Sequence, residues 1–343
     1  MRILIDIAHP AHVHFFRHAI AEWRRHGHEV AVTAMEKDVT AELLRNFGIA
    51  YQTVNSPALP TALRPLRMLG RNWRLWRACR RFRPDVVTAV GGLWAAQTAW
   101  AMRRPAVVWD DTEHHTKGHR ATWPFATVIC SPDCYLLPPV RKQRLYAGSH
   151  ELAYLHPRRF TPDAEVVRSL GIDPSQRYCI VRFVAWKAVH DVGQHGLVED
   201  RKVAFVRSLA QVVRPYITSE GRLPAELEEY RLRMPAHLIH HAMAFAALTV
   251  GEGATMASES ACLGVPAVYV NTLRAGTLNM FERFGLIRQT TDTDEALRLC
   301  LSWLADDRAA ETCRQARQRM LAQKIDVTGY IVETVEDVGG KGR

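Results

Sequence analysis

The amino-acid sequence predicts an α/β protein of two Rossmann-like domains, each built on a parallel sheet, and three observations favour this fold class. Apolar runs of strand length alternate with helical patterns along almost the whole chain. The 343 residues are more than one hydrophobic core usually serves, and 48% of them are hydrophobic, which is enough for two cores. Polar clusters follow several predicted strands, where sheets of this kind carry their ligand-binding loops.

The first half of the chain shows the alternation of strand and helix clearly. Strands are expected near residues 3–7, 29–33, 51–54, 86–90, 106–109 and 127–129. The helices between them are bounded by Gly27, Gly48 and Pro84, residue types that end helices or start turns. This pattern predicts a first domain over residues 1–157.

A proline-rich, irregular region at residues 132–162 interrupts the alternation, and the domain junction is expected there. Strands resume near residues 178–181, 216–218, 247–250 and 267–270, each followed by helix-like sequence. The second domain is therefore expected over residues 158–337. The glycine-rich and basic residues 338–343 predict a disordered tail.

Cysteine usage and the first residues of the chain indicate a cytoplasmic protein. Seven cysteines, an odd and scattered set, do not match an extracellular disulfide framework, and a secretory signal is not recognisable. No apolar run is long enough to span a bilayer. Cys130 and Cys134 lack a second cysteine pair and are expected to be core thiols, so neither a metal ion nor another cofactor is expected.

Positive charge is concentrated in a predicted helix at residues 64–82. Lysine and arginine number 45 against 35 acidic residues, a net charge of +10. One broad side of the helix carries Arg67, Arg71, Arg74, Arg77 and Arg81, and another carries Leu69, Trp73 and Trp76. Two interpretations are open: peripheral docking on the anionic inner face of the cell membrane, and a solvated arginine face over a packed apolar one. Nucleic acid is not expected as a partner, because neither a helix-turn-helix nor an RNA-binding signature is present.

Residues 248–259 predict a buried strand, a glycine-bracketed turn and the start of a helix. Such a turn lets the backbone approach a ligand, and the amides of the helix start attract an anion such as a diphosphate. Glu259, further along the helix, can accept hydrogen bonds from the vicinal hydroxyls of a ribose. An ordinary strand-to-helix turn without a ligand is the alternative. The candidate binding residues are Gly251, Glu252, Gly253, Ala254, Thr255, Met256 and Glu259.

Four further polar clusters follow predicted strands. They are residues 9–14 with three histidines, Gly91 and Gly92, residues 110–115 with three acidic residues and two histidines, and residues 182–191. Because the carboxyl ends of parallel strands share one edge of a sheet, these clusters are placed where ligands bind. Each cluster alone could be a polar loop with capping residues. Histidine and tryptophan are not preferred turn residues, so this explanation is hard to sustain for all four clusters together.

These residues carry a resemblance to known families. Residues 85–92, 253–259 and 263–267 resemble stretches of the bacterial transferase that adds N-acetylglucosamine to the lipid-linked murein precursor. Residues 9–16, 150–157, 182–191 and 251–259 resemble an uncharacterised family, domain of unknown function 354, over nearly the whole chain. The resemblance implies a GT-B fold, in which two Rossmann-like domains face each other across a nucleotide-sugar cleft.

The resemblance to the murein transferase also implies roles for single residues. Glu259 matches the acid that holds the ribose, Ala254 and Thr255 match positions beside the diphosphate, and His12 matches a histidine of the first loop. Two departures stand out. The first loop is His-Pro-Ala-His here, where the transferase is glycine-rich, and Asn279 stands where the transferase carries paired glutamines toward the donor sugar.

The leading hypothesis is a glycosyltransferase that uses a nucleotide-diphosphate sugar such as a UDP-sugar, in cell-surface glycan biosynthesis with a glycan or lipid-linked acceptor. Helix-start amides near Ala254, with Lys187 or Arg182, would neutralise the departing diphosphate without an obligatory metal. His12, or alternatively Asp191, would take the proton of the acceptor hydroxyl, because histidine titrates near neutral pH.

Three alternatives remain open. A non-hydrolysing UDP-N-acetylglucosamine 2-epimerase of the same fold would use Glu113 or Asp111, which follow a strand where such epimerases carry a catalytic acid. A metal-dependent hydrolase would use the site composition of His12, His14, Asp110 and His114. A nucleotide-sugar-binding module without turnover is the third.

Overall fold

The structure, a computed structural model, describes residues 1–37, 39–55, 64–184, 196–219 and 221–341, with the backbone alone at 64–69 and 199. The elements of its first part, in chain order, are β1 (Arg2–Ile7), α1 (Pro10–Arg25), β2 (Glu29–Ala34), α2 (Thr40–Asn46), β3 (Gln52–Thr53), α3 (Arg64–Phe82), β4 (Val86–Val90), α4 (Leu93–Ala101), β5 (Ala106–Trp109), α5 (Thr116–Thr122), a 3₁₀ helix (Trp123–Phe125), β6 (Val128–Pro132), β7 (Gln143–Tyr146) and α6 (Leu152–Leu155).

The alternation continues through the second part. Its strands and α-helices are α7 (Ala164–Ser169), β8 (Tyr178–Phe183), α8 (Lys202–Ala210), β9 (Arg214–Ser219), α9 (Ile239–Ala244), β10 (Leu248–Gly251), α10 (Ala254–Leu263), β11 (Ala267–Val270), α11 (Gly276–Arg283), β12 (Ile287–Thr290), α12 (Thr293–Ala305), α13 (Ala309–Leu321) and α14 (Val327–Gly340). Three 3₁₀ helices lie at Glu199–Arg201, Ala225–Tyr230 and Ala236–Leu238.

The chain forms two compact units. One contains Met1–Tyr154 and the chain from Ile325 onward, and the other contains Leu155–Lys324. The junction lies close to the expected one, but the expectation that residues 158–337 form one domain is wrong, because α14 belongs to the first unit. The return is fixed by Ile325, whose N–H donates to the Ala147 carbonyl at 2.9 Å, and by the Thr328 hydroxyl, which donates to the Ala153 carbonyl at 2.6 Å.

The first unit is built on a seven-stranded parallel sheet of order β3-β2-β1-β4-β5-β6-β7. Strand β1 lies in its middle, and Ile3, Leu4, Ile5 and Ile7 are fully buried there, as a strand covered on both faces requires. Helix α1 begins where the His9 side chain accepts the Ala11 N–H and Pro10 occupies the first turn. Helices α3 and α4 pack together, and α14 packs against α1, β4 and β5.

The second unit is built on a five-stranded parallel sheet of order β12-β11-β10-β8-β9. Its central strand β10 buries Leu248 and Val250. Helix α10 follows β10 directly and ends at Gly264, which has a φ of 79° that favours glycine. The predicted α/β class with two parallel sheets is therefore confirmed.

Two edge strands, β7 and β12, and the last turn of helix α14 were not expected from the sequence. Strand β7 lies inside the region expected to be irregular, and β12 carries the mixed pattern Ile-Arg-Gln-Thr. The prediction of a disordered tail at residues 338–343 is wrong as far as Lys341, because α14 continues to Gly340. A Cβ added to Gly339 would lie 3.0 Å from both Met1 Sδ and Val86 Cγ1, so this glycine permits close packing.

Among the helices that the structure describes, none is long and apolar enough to cross a membrane. Helix α3 has the length, but its sequence contains seven arginines.

Candidate active site

In the first unit, the predicted polar clusters meet at the carboxyl edge of the parallel sheet. The loop after β1 leads into α1 with His12, and the loop after β5 carries Asp111. His150 and Glu151 follow β7 and precede α6. The charges of Asp111 and His150 shift the pKa of His12, and Asp111 and His150 pair directly, so the three side chains are neighbours. The sequence placed His150 in a resemblance motif but assigned it no role.

His12 is neutral, and its protonation pattern is fixed by the backbone. Burial, with the charges of His9 and His150, lowers the pKa of His12 to about 3. The Ala8 N–H donates to Nδ1 at 3.3 Å, so the proton of the neutral ring is carried on Nε2. In this arrangement His12 presents a hydrogen-bond donor to a ligand, which does not match the general-base role expected from the sequence.

Asp111 and His150 form an ion pair at this edge. The distance from His150 Nδ1 to Asp111 Oδ2 is 3.0 Å, and the side chains are 10% and 30% exposed, respectively. Burial raises the pKa of Asp111, but the charge and hydrogen bond of His150 outweigh burial and lower it to about 2. Burial likewise lowers the pKa of His150, and Asp111 raises it above its usual value. The carboxylate is therefore ionised at neutral pH and partly open to solvent.

Behind Asp111 lies a buried polar group of side chains. The His150 ring packs 4.5 Å from Phe15 and stacks on Tyr146 at 6.5 Å. Burial and the charge of Asp111 raise the pKa of Glu151 to about 7. Among the described residues, no partner is found for three buried atoms here: His150 Nε2, Glu151 Oε2 and the Tyr146 hydroxyl. Unpaired buried polar atoms cost stability, and their concentration beside one exposed carboxylate is typical of a functional site.

The other acidic residues after β5 stabilise the loop. Asp110 accepts the Thr112 N–H at 3.0 Å and the Trp123 indole N–H at 3.2 Å, and it lies 3.1 Å from His119 Nε2. Glu113 is buried, and it accepts the Leu136 N–H at 3.3 Å. Of the three acidic side chains Asp110, Asp111 and Glu113, Asp111 alone is accessible. The catalytic role expected of Glu113 stays a prediction that this placement does not favour.

Gly91 and Gly92 have φ values of 66° and 47°, which L side chains rarely adopt. They turn the chain from β4 into α4, with Gly92 as the N-cap. Their expected part in ligand binding stays a prediction, because the turn alone explains both glycines.

In the second unit, the candidate phosphate site is the start of α10. Among the residues that the structure describes, no side chain caps its N-terminus at Gly253, and the amides of Ala254, Thr255 and Met256 can donate to an anion there. Arg182, at the end of β8, lies alongside, because a Cβ added to Gly253 would be 3.6 Å from Arg182 Cγ. This places a guanidinium-bearing side chain beside the positive end of a ten-residue helix.

The neighbouring strand explains glycine at position 251, whereas the backbone conformation does not require glycine at position 253. A Cβ on Gly251 would lie 2.4 Å from the Arg182 carbonyl oxygen, so the neighbouring strand requires glycine. Gly253 has a φ of −92°, which any residue adopts. Glu252 is buried, and its carboxylate accepts the N–H groups of Val184 at 2.8 Å and Leu197 at 3.0 Å. It holds the backbone here, and its expected part in ligand binding stays a prediction.

Glu259 and Asn279 are both engaged within the second unit. Glu259 lies on the buried side of α10, where its Oε1 is 2.9 Å from His240 Nε2. Asn279, on α11, accepts a hydrogen bond from the Gln289 side chain at 3.1 Å. Contact of either residue with a nucleotide sugar stays a prediction. Lys187 and Asp191, predicted to bind and to act as a base, lie outside the described residues.

The hydrolase alternative is not favoured by the placement of its residues. His14 is buried, and its ring centroid lies 5.6 Å from that of Phe47 and 5.2 Å from that of Tyr154. The Asp110 carboxylate already accepts two hydrogen bonds and contacts His119, as described above. Among the described residues, a different set could hold a metal: His26, His28 and Glu336 have ligand atoms within 4.8 Å of one another. There the amino group of Met1 lies 3.2 Å from His28 Nδ1, which disfavours a cation. Cys130 is buried and Cys134 is partly buried, and both are free thiols.

Comparisons with known proteins place this geometry in context. A family model described as "Protein of unknown function (DUF354)" matches residues 1–338. Curated protein sequences give no match. A solved UDP-GlcNAc 2-epimerase from Neisseria meningitidis bound to UDP-GlcNAc is similar, with a TM-score of 0.69, 12% identity, and coverage of 98% of this chain and 100% of that chain.

Glycosyltransferase structures are similar as well. MurG from Acinetobacter baumannii has a TM-score of 0.61 and 15% identity, and the match covers 98% of this chain and 100% of that chain. The glycosyltransferase VinC in complex with dTDP has a TM-score of 0.65 and 15% identity, and the match covers 99% of this chain and 100% of that chain. Identities this low show the fold alone. The predicted GT-B class is confirmed.

Proposed function

The chain belongs to the DUF354 family, and we propose that it is a glycosyltransferase that uses a nucleotide-diphosphate sugar. The acceptor would be a hydroxyl of a glycan or of a lipid-linked glycan precursor in cell-surface polysaccharide synthesis. The observation that carries the proposal is the partly exposed carboxylate of Asp111, the most accessible of the three acidic side chains after β5, held ionised by His150 at the carboxyl edge of the first sheet. In this proposal the second unit binds the diphosphate of the donor.

The donor's diphosphate would bind at the start of α10. The free amides of Ala254 to Met256 point along the helix axis toward an anion, and the Arg182 guanidinium adds a full positive charge. Both groups stabilise negative charge that grows on the leaving diphosphate as the sugar–oxygen bond breaks. Glu259 would accept the ribose hydroxyls, with His240 holding its carboxylate in place at 2.9 Å.

Asp111 would act as the base toward the acceptor. As the new bond forms between the acceptor oxygen and the anomeric carbon, the hydroxyl proton passes to the carboxylate, and the nucleoside diphosphate leaves with the electron pair of the broken bond. His150 keeps the carboxylate ionised and oriented from behind. His12, with its proton on Nε2, would donate a hydrogen bond to a substrate oxygen.

Transfer fits the acidic residues after β5 better than epimerisation does. Inverting a ring carbon by proton removal and return needs a proton-transfer group on each face of the sugar. Of Asp110, Asp111 and Glu113, only Asp111 has a side chain open to solvent, at 30% exposure, because Asp110 and Glu113 are buried against Trp123 and the Leu136 amide. One accessible carboxylate is sufficient for deprotonating one acceptor hydroxyl.

The test is product analysis with a panel of UDP- and dTDP-sugars and glycan acceptors, using wild-type protein, Asp111→Asn and the exposed control Glu165→Gln. We expect a glycosylated acceptor with wild type and control, and a loss of at least about a hundredfold in kcat with Asp111→Asn while donor binding is kept. An interconverting pair of nucleotide sugars, formed without acceptor, would replace the transferase with an epimerase. Full transfer activity in Asp111→Asn would remove this residue from the mechanism.

A further inference from the structure

The C-terminal halves of α3 and α4 in the first unit carry an unusual set of exposed aromatic residues. Trp73 is 55% exposed, Trp76 36% and Trp100 63%. Large aromatic side chains are mostly buried in soluble proteins, and those left on the surface in groups mark contacts with a partner. The other tryptophans of the described residues are buried or partly buried.

The three tryptophans lie at one level of two adjacent helices. Helices α3 and α4 each return from a carboxyl edge to an amino edge of the same parallel sheet, so they run in the same direction. The Thr98 hydroxyl of α4 donates to the Asn72 side chain of α3 at 3.2 Å, which fixes their register. Trp73 is next to Asn72, and Trp100 is two residues beyond Thr98, so the exposed rings lie within about one helical turn of each other along the axis.

Positive charge surrounds these rings. Residues 64–109 contain ten arginines and one acidic residue, a net charge of +9 against +10 for the whole chain. That acidic residue, Asp85, accepts the Arg2 backbone N–H at 2.7 Å. Arg77 lies over the Trp73 ring at 5.6 Å and Arg80 over the Trp76 ring at 4.8 Å, so guanidinium groups accompany the rings at the surface.

The expected arginine stripe is only partly correct. The Arg71 guanidinium pairs with the buried Asp6 carboxylate at 2.8 Å, and the Arg74 guanidinium donates to the Asn55 carbonyl. Neither guanidinium therefore faces solvent as an exposed arginine stripe requires. The side chain of Arg67 lies outside the described residues. The exposed arginines are Arg77, Arg80, Arg81, Arg83 and Arg103. They cluster toward the amino edge of the sheet, opposite the edge that carries Asp111.

The surface continues from Trp100 into a basic groove. The Trp100 ring contacts Phe125 edge-on at 5.3 Å, and the Lys142 ammonium donates to the carbonyls of Pro124 and Ala126 at 2.9 Å each. Lys142 lines a groove of about 380 Å³ together with Thr127, Val128, Arg141, Gln143 and Arg144. Of the three basic side chains that line this groove, Arg144 pairs with Asp337 at 3.7 Å, which leaves Arg141 and Lys142 to attract a phosphate-bearing headgroup.

From these observations we infer that the first unit docks on an anionic lipid bilayer through Trp73, Trp76 and Trp100, with the arginines at the amino edge contacting lipid phosphates. Tryptophan rings prefer the boundary between headgroups and acyl chains, and basic residues there gain attraction from anionic lipid. A single-stranded nucleic acid needs open ring faces on which its bases stack. Arg77 and Arg80 already lie over the Trp73 and Trp76 rings, which is why the bilayer is the better partner. This inference is independent of the proposed reaction.

The test is co-sedimentation of the full-length protein with phosphatidylcholine vesicles, with or without roughly a third of phosphatidylglycerol. We expect binding to the anionic vesicles, with release as sodium chloride is raised to about 0.5 M. The triple variant Arg77→Gln, Arg80→Gln, Arg81→Gln should bind at least about tenfold more weakly. A control triple on exposed arginines of the second unit, Arg207→Gln, Arg222→Gln, Arg233→Gln, loses the same charge and should bind as wild type does.

The tryptophans are tested with brominated lipids, which quench fluorescence on direct contact. The tryptophan fluorescence of the wild type should be quenched by these lipids. The quenched fraction should fall strongly in the triple variant Trp73→Phe, Trp76→Phe, Trp100→Phe, and circular dichroism checks that this variant is folded. If the arginine triple of the first unit and the control triple of the second unit bound anionic vesicles equally well, the inference would be overturned, because net charge alone would then explain the attraction. So would tight binding of single-stranded RNA that the tryptophan and arginine variants of this surface lose, because the surface would then serve a nucleic acid. Equal sedimentation with neutral and anionic vesicles would also overturn the inference.

Discussion

The coupling between Asp111 and His150 can be measured by a double-mutant cycle of Asp111→Asn and His150→Leu. His150 lowers the pKa of Asp111 from 3.8 to about 2 despite burial, a shift worth roughly 2.5 kcal/mol at 1.36 kcal/mol per pKa unit. Because 30% of the Asp111 side chain is exposed, solvent screening reduces this, and we expect a coupling of about 1–2 kcal/mol in the free energy of unfolding at pH 5.5.

The pH dependence of this coupling follows from the two shifts. The folded pKa of Asp111 is below its unfolded value, so its contribution is present above about pH 3.8 and is lost as pH falls through about 2. The folded pKa of His150 is above 6.5, so its contribution is present below pH 6.5 and is lost as pH rises through the raised value. The coupling should therefore be largest between about pH 4 and 6.5.

Urea unfolding of the four proteins, followed by tryptophan fluorescence at a series of pH values, gives the coupling energy. The exposed pair Arg201 and Asp294 of the second unit, 2.6 Å apart, is a matched control for which a coupling near zero is expected. A coupling for Asp111 and His150 as small as that of the control pair at pH 5.5, or one that does not decrease toward pH 2, would refute the assigned ion pair.

Two further predictions concern buried charge and the nucleotide. Arg71→Met should lower the free energy of unfolding by about 3 kcal/mol at pH 7, because it leaves buried Asp6 unpaired. The loss should shrink at lower pH, where Asp6, whose pKa burial raises, is protonated, and a loss independent of pH in urea unfolding would speak against the ion pair. Glu259→Gln should weaken UDP binding in calorimetry by about tenfold with the fold intact, and equal affinity would place the ribose elsewhere.

The sequence predicted most of the fold, because buried parallel strands are apolar runs. Strand β1 with Ile3 to Ile7 and the turn from β10 into α10 are recognisable from residue types alone. Edge strands are different: β7 is polar and carries exposed Arg144 and Leu145, so no apolar run marks it. Gly339 and Gly340 suggested disorder because the contact that Gly339 makes with Val86 is distant in sequence.

The site was harder to predict than the fold for a similar reason. Histidines and acids after strands were recognised, but which of them face solvent depends on hydrogen bonds that spacing does not reveal. Asp110, Asp111 and Glu113 look equivalent in the sequence, yet Trp123 and His119 engage Asp110, and the Leu136 amide engages Glu113. His150 follows a strand that was itself not expected, so its partnership with Asp111 could not be inferred.

The return of the chain into the first unit has a consequence for how the protein is made. Residues 155–324 leave the ribosome as one uninterrupted stretch and can collapse on their own, whereas the first unit is complete only when α14 covers β4 and β5. Until then the part of that sheet face formed by β4 and β5 is uncovered, so the core of the first unit is completed only after the second unit has been synthesised.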